Sequence, residues 1–226
     1  MVKTTSIYGV GKTLLSIHDV AGTAAAYLVT RLPANYRRPE VEVVAFGLEV
    51  LIGGLLQLAV FVATARYLGL LPEMTAALVT MATYRLLSGG PHCSAYYRCL
   101  IWSALTLNLL AFIGHRLAYF MAGILPAGFL LVYGVSLLIA RRLAPRDTEA
   151  APIISPVRRA RLKTACYLWL LAWLVLVLLG YYRGWSPGVL IASMAALTCQ
   201  SLSLTPLGFT VVGRVDRFLK RLLPLG

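Results

Sequence analysis

Six apolar runs divide this 226-residue chain, and they leave little sequence for anything but a membrane protein. A helix crosses the hydrocarbon core of a bilayer with about 20 consecutive apolar residues. The runs lie at roughly 43–65, 72–87, 99–114, 117–140, 165–182 and 187–207 on that criterion. The second is short and polar at both ends. Composition agrees: 59% of residues are hydrophobic and 13% are charged. A soluble domain is about 45–50% apolar and about 25% charged. The expected fold is therefore all-α and polytopic, with about six membrane helices forming a single domain over residues 1–226.

Residues 1–40 precede the first run. Val10, Leu14, Ile17, Ala21, Ala24 and Leu28 recur at alternating spacings of four and three, with Lys12, Ser16, Asp19 and Thr23 opposite. That pattern predicts an amphipathic helix at the membrane interface. Asp19 interrupts its apolar stretch, so it does not read as a cleavable signal peptide. A second polar stretch, residues 141–164, begins Arg141-Arg142, contains Pro145, Pro152 and Pro156, and ends in a basic half. The net charge of +13 would suggest nucleic acid in a soluble protein. Here the cations cluster between apolar runs, where they orient helices, so no nucleic-acid partner is expected. With six spans, 18 of the 21 Lys and Arg fall on one side; only Arg66, Arg116 and Arg183 fall on the other. Positive charge marks the cytoplasmic side. Both termini and the 141–164 loop are assigned there, in a multi-pass cell-membrane protein. Such a face would also attract an acidic peptide or anionic headgroups.

The strongest chemical signal lies between the second and third runs, from Arg85 through Gly89-Gly90-Pro91-His92-Cys93 to Arg98-Cys99. Gly-Gly-Pro stops a helix and permits unusual backbone angles. Irregular backbone at membrane depth is tolerated only against protein or a wet cavity. His92 and Cys99 form a candidate base and nucleophile, since a thiolate is the reactive form and an imidazole can take its proton. Arg85 and Arg98 would favour the thiolate if close. On one straight helix their backbones would be about 10.5 Å apart, and side chains lean toward the N-terminus, so His92 would lean away. The pair requires His92 to sit on the Gly-Gly-Pro bend. Cys93 is a rival nucleophile. Cys166 and Cys199, within apolar runs, read as packing residues.

Arg85, Gly89-Gly90, and His92 followed after six residues by Cys99 resemble the corresponding motif of the accessory gene regulator B (AgrB) family. So do Ala144-Pro145-Arg146-Asp147-Thr148-Glu149 with Pro152-Ile153-Ile154 and the basic run to Lys163, and Gln200-Ser201-Leu202-Ser203-Leu204-Thr205-Pro206. The likeness runs in order over about residues 40–207. Pro91 and Cys93 depart from the family pattern. The resemblance implies a membrane-embedded cysteine endopeptidase of a quorum-sensing system, with no cofactor or metal. Cys99 would be its nucleophile and His92 its base, supported by Arg85, Gly89 and Gly90. The implied substrate is a precursor peptide with an amphipathic leader, a central cysteine and an acidic tail. Removal of the tail would leave an acyl-enzyme that closes to a thiolactone. The implied assembly is a homodimer. Arg158, Arg159, Arg161 and Lys163 are the residues expected to hold the acidic tail.

Glu49 and Gln57 lie inside the first run, where an ionisable or polar residue is expensive and usually functional. Glu49 could orient His92 or pair with Arg85; an interhelical contact is an equal alternative. Ser201, Ser203 and Thr205 read as interhelical hydrogen-bonding or small packing residues. No HExxH or GxSxG motif occurs. The competing function is a small transporter or peptide exporter using Glu49 and the Pro/Gly-broken helices as a substrate path.

Overall fold

A computed structural model describes residues 17–33, 39–147 and 152–223. Among the described residues all long elements are helical: α1 (Ile17–Arg31), α2 (Val41–Leu68), α3 (Leu71–Ser88), α4 (Tyr96–Met121), α5 (Leu125–Leu143), α6 (Pro156–Tyr182), α7 (Pro187–Ser203) and α8 (Pro206–Leu222). The all-α membrane fold expected from the apolar runs is what forms. The chain divides into two compact units, Met1–Leu58 and Ala59–Gly226, with the boundary inside α2.

The first unit holds α1 and most of α2. Val10, Leu14, Lys12 and Ser16 of the expected amphipathic stripe lie outside the described residues. Within α1 the buried line is Ala21, Ala25 and Val29, whereas Leu28 is exposed. The buried face thus turns one residue past the expected one.

In the second unit α7 packs chiefly on α3 and α4, with α5 and α6 completing the bundle. Small residues permit this. A Cβ on Gly114 of α4 would stand 2.6 Å from the Gly188 carbonyl oxygen and 2.7 Å from the Ala192 Cβ of α7. Close backbone approach through small residues is the usual device where lipid supplies no hydrophobic driving force. Hydroxyls then tie the helices together. Ser193 Oγ meets Thr80 Oγ1 at 2.8 Å and accepts from Trp173 Nε1 at 2.9 Å, joining α7 to α3 and α6. Ser201 Oγ donates to Ser136 Oγ of α5 at 2.9 Å.

Among the described residues four helices are long and apolar enough to cross a membrane: α2, α4, α5 and α6. α7 and α8 qualify only together, as a pair bent by 92°. α3 carries Glu73 and Arg85, and α7 has 17 residues. Both face protein on several sides, so they are not required to be as apolar as a lipid-facing helix. Two boundaries differ from the sequence reading. The turn expected at 115–116 is absent, and α4 runs on to Met121. His115 Nδ1 lies 3.1 Å from Glu73 Oε1 of α3, so the exposed histidine is paired with a buried carboxylate without a loop. The last run ends at Ser203 because Pro206 starts α8, capped by the Thr205 hydroxyl, which accepts from Gly208 N at 3.3 Å.

Candidate active site

The ends of α3, α5 and α7, the starts of α4 and α6, and α8 meet at one end of the second unit. There α3 closes on Gly89, whose amide donates to the Arg85 carbonyl at 2.8 Å. Gly89 has φ 73° and ψ −151°. Only glycine adopts that region at low cost. An isolated bridge then pairs the segment with the loop after α5: Arg146 N donates to Ser88 O at 2.8 Å, and Gly90 N donates to Arg146 O at 3.2 Å. A Cβ on Gly89 would run into the Arg146 carbonyl oxygen. Gly90, with φ 132°, leaves a Cβ 3.2 Å from Arg85 Nη1 and 3.3 Å from Ser203 Oγ. Gly89 is therefore required by crowding as well as by backbone angle, and Gly90 by its backbone angle.

Arg85 and Gln200 hold this turn from beneath. Arg85 Nη1 donates to Gln200 Oε1 at 3.2 Å, and Nη2 donates to the Pro91 carbonyl. Gln200, fully buried on α7, returns Nε2 to Gly89 O at 2.8 Å and to Ser88 Oγ at 3.1 Å. Gln200 was visible in the sequence only as part of a family-like stretch. A glutamine inside an apolar helix is the signal that could have marked it.

His92 follows on non-helical backbone, not on α4. The one-helix geometry that would separate it from Cys99 therefore does not apply. Ser94 and Ala95 bend the chain into α4, where Cys99 occupies the first turn. Asp216 of α8 fixes this entry. Its Oδ1 accepts from Ser94 N at 3.2 Å, its Oδ2 accepts from Ser94 Oγ at 2.7 Å, and Arg98 Nε lies 3.4 Å away. Sequence reasoning missed Asp216, although it is the sole acid in a strongly basic C-terminal stretch.

The charge of Arg85 reaches Cys93, Cys99, Cys199 and His92. Partial burial, and secondly Arg85, hold the His92 imidazole below the usual histidine range, which leaves it neutral and able to accept a proton. Among the described residues His92 makes no hydrogen bond to Cys99; the two share Arg85 as a neighbour. Such contacts commonly tighten only when substrate binds. Burial, then the adjacent Cys99 sulfur and Asp216, push the Cys93 thiol up to about 12. A thiol raised in this way is slow to form the thiolate that attacks or is alkylated. With limiting iodoacetamide at pH 8, mass spectrometry of digested protein should find the label on Cys99 and not on Cys93.

Of the four basic residues expected to meet an acidic tail, two are engaged within the chain. Arg159 Nη2 reaches Asp147 Oδ2 at 2.6 Å, with further bonds to the Pro145 and Ile153 carbonyls at 3.3 Å. The Ile153 amide and then Arg159 hold the Asp147 carboxyl below the usual carboxylate range. Lys163 Nζ donates to Arg141 O at 2.8 Å, covering a carbonyl at the end of α5. Arg158 and Arg161 remain exposed. Arg37, Arg38, Thr148 and Glu149 lie outside the described residues. Glu49 belongs to the first unit. Beside the turn, a largely apolar cleft of about 590 Å³ runs between α4, α7 and α8, lined by Trp102, Leu110, Met194, Cys199, Ser203 and Val211 among others. Among the described residues no group of three His, Cys, Asp or Glu side chains is placed to hold a metal ion.

This arrangement lies within a matched family model. The model of accessory gene regulator B covers residues 21–204. The chain belongs to the AgrB family. A curated AgrB-like protein of Clostridium acetobutylicum is 26% identical over 170 residues, covering 74% of this chain and 76% of that one. No solved structure matches the chain. AgrB membership places the protein in the accessory gene regulator quorum-sensing system, which processes an AgrD-type precursor peptide in the membrane. Arg85, Gly89, Gly90, His92, Cys99 and Gln200 all fall inside the AgrB match; α8 with Asp216 lies beyond it.

Proposed function

We propose that this AgrB family member is a cysteine endopeptidase that removes the C-terminal tail of a quorum-sensing precursor peptide and promotes thiolactone formation. The observation that carries the reading is the buried Arg85–Gln200 network. It holds the Gly89–Pro91 turn, which leads into His92 and then, through a short non-helical segment, into the first turn of α4 with Cys99.

Cys99 loses its proton to neutral His92, and its sulfur attacks the carbonyl ahead of the tail. The amide C–N bond breaks, a thioester C–S bond forms, and His92 passes the proton to the departing amine. A thiol of the peptide then gives its proton to His92 and attacks the acyl carbon. Cys99 leaves as a thiolate and regains the proton. One thioester replaces another, so ring closure is nearly isoenergetic; a serine ester would have to go uphill. Water must be kept from the acyl-enzyme, and the apolar cleft beside Ser203 can both exclude it and seat apolar peptide side chains. Arg158 and Arg161 are the residues we assign to the acidic tail. The site end carries most of the cations, which supports placing it and both termini toward the cytoplasm.

The test is reconstitution of the full chain in lipid with its precursor, followed by mass spectrometry. Cys99→Ala should lower cleavage by at least about a thousandfold, and His92→Gln by a comparable factor. Protonation of His92 removes the base. Activity should therefore hold as pH falls to about 6.5, the ordinary histidine value, and decline only below it, through the lowered pKa of His92. Undiminished cleavage by Cys99→Ala would sink the reading.

A further inference from the structure

Helix α8 is not needed to complete the bundle, yet it touches the candidate catalytic loop. It leaves α7 at 92°. At 17 residues α8 is about 25 Å long, and a helix set at 92° to a bundle helix is oriented to lie along a membrane surface. Its circumference has three sides. Val212 and Leu219 are buried in the protein. Leu207, Val211, Phe218 and Leu222 form an adjacent stripe and are 69%, 39%, 60% and 58% exposed, Leu207 and Val211 at the edge shared with the apolar cleft and Phe218 and Leu222 clear of it. Arg214, Arg217, Lys220 and Arg221 form the third side, also exposed. The helix's one acid, Asp216, points inward to Ser94 and Arg98. Nearby, Tyr97 Oη donates to Leu223 O at 2.7 Å, and the Arg146 guanidinium lies 5.0 Å from the Phe209 ring.

We propose that α8 is a docking helix for the anionic bilayer surface, and that Asp216 couples this contact to the loop carrying His92 and Cys99. Large apolar side chains on one exposed side seat among acyl chains, while four cations on the next lie level with anionic headgroups. An acidic soluble peptide would satisfy the cations but leave the apolar stripe in water, so the lipid surface is the better fit. Through Asp216, movement of α8 on or off the membrane shifts Ser94, immediately after Cys93, and Arg98, immediately before Cys99. The catalytic consequence rests on the proposed peptidase reading; the docking does not.

The experiment is hydrogen exchange by mass spectrometry on the full chain in nanodiscs. Phosphatidylcholine alone is compared with phosphatidylcholine containing phosphatidylglycerol. The anionic discs should slow exchange in peptides covering α8 and residues 92–98 by at least about tenfold. A variant carrying R214Q, R217Q, K220Q and R221Q should lose both effects while exchange in the cores of α4 and α7 is unchanged. Asp216→Asn should keep the α8 response and lose the loop response. Equal α8 exchange in the two lipids overturns the docking, as does a response that survives in the quadruple variant. A loop response surviving in Asp216→Asn overturns the coupling. Slowing by an added polyglutamate peptide in neutral discs, with none from anionic lipid, would make α8 a peptide site and overturn the proposal. Lipid-dependent exchange with no precursor cleavage in either disc supports the docking and removes only the peptidase reading.

Discussion

Gly89→Ala should cost about 3–5 kcal/mol of local stability and lower precursor cleavage by at least about a hundredfold. Two effects act together. The angles of Gly89, φ 73° and ψ −151°, are penalised by about 1–3 kcal/mol for any residue with a Cβ. The added methyl would also meet the Arg146 carbonyl oxygen, a backbone atom that cannot rotate away. Relief of that clash must separate the turn from the 144–147 loop. It would break Arg146 N to Ser88 O and Gly90 N to Arg146 O, each worth about 1 kcal/mol. Thermal unfolding in nanodiscs and the cleavage rate would be measured for this variant beside Gly134→Ala. A Cβ at Gly134 meets nothing within 4 Å, and that position is helical, so the control should be neutral or slightly stabilising. A Gly89→Ala protein indistinguishable from wild type would refute the described turn.

Arg85→Met should be about as damaging, for a different reason. It removes two buried donors and leaves Gln200 Oε1 and the Pro91 carbonyl without them. Hydrogen bonds from a charged donor contribute about 1.5–3 kcal/mol each, so a loss of about 3–5 kcal/mol is expected. Arg85→Lys keeps the charge but not the fork that spans two acceptors, and should recover part of the activity. The decisive measurement is the cycle with Gln200→Leu. Once Gln200 is apolar, Arg85→Met orphans only the Pro91 carbonyl. The double variant should then be less impaired than the sum of the single ones by at least about 1 kcal/mol. Strict additivity in stability and in cleavage would mean that the two residues do not act as one support.

The class of the fold and the place where the helical pattern breaks were legible in the chain because both are local properties. Runs of apolar residues long enough to cross a bilayer need no partner to be recognised. Gly89-Gly90-Pro91 announces a broken helix wherever it stands, and α3 does end at Ser88. Choice of partner could not be read in that way. Gln200 reaches Arg85 across 115 residues, and Asp216 reaches Ser94 across 122. The basic segment shows the same limit. In sequence Arg158, Arg159, Arg161 and Lys163 are four equivalent cations, yet packing commits Arg159 to Asp147 and Lys163 to the Arg141 carbonyl. Likewise His115 and Arg116 look like the end of a span until Glu73, 42 residues earlier, meets His115 on the neighbouring helix. The amino-acid sequence by itself determined a helical membrane chain broken at Gly89-Gly90-Pro91, since hydropathy and backbone freedom belong to single residues and their neighbours. Only the tertiary structure decided which polar groups hold that segment in place, because a buried polar side chain is satisfied by whatever packing brings within about 3 Å of it.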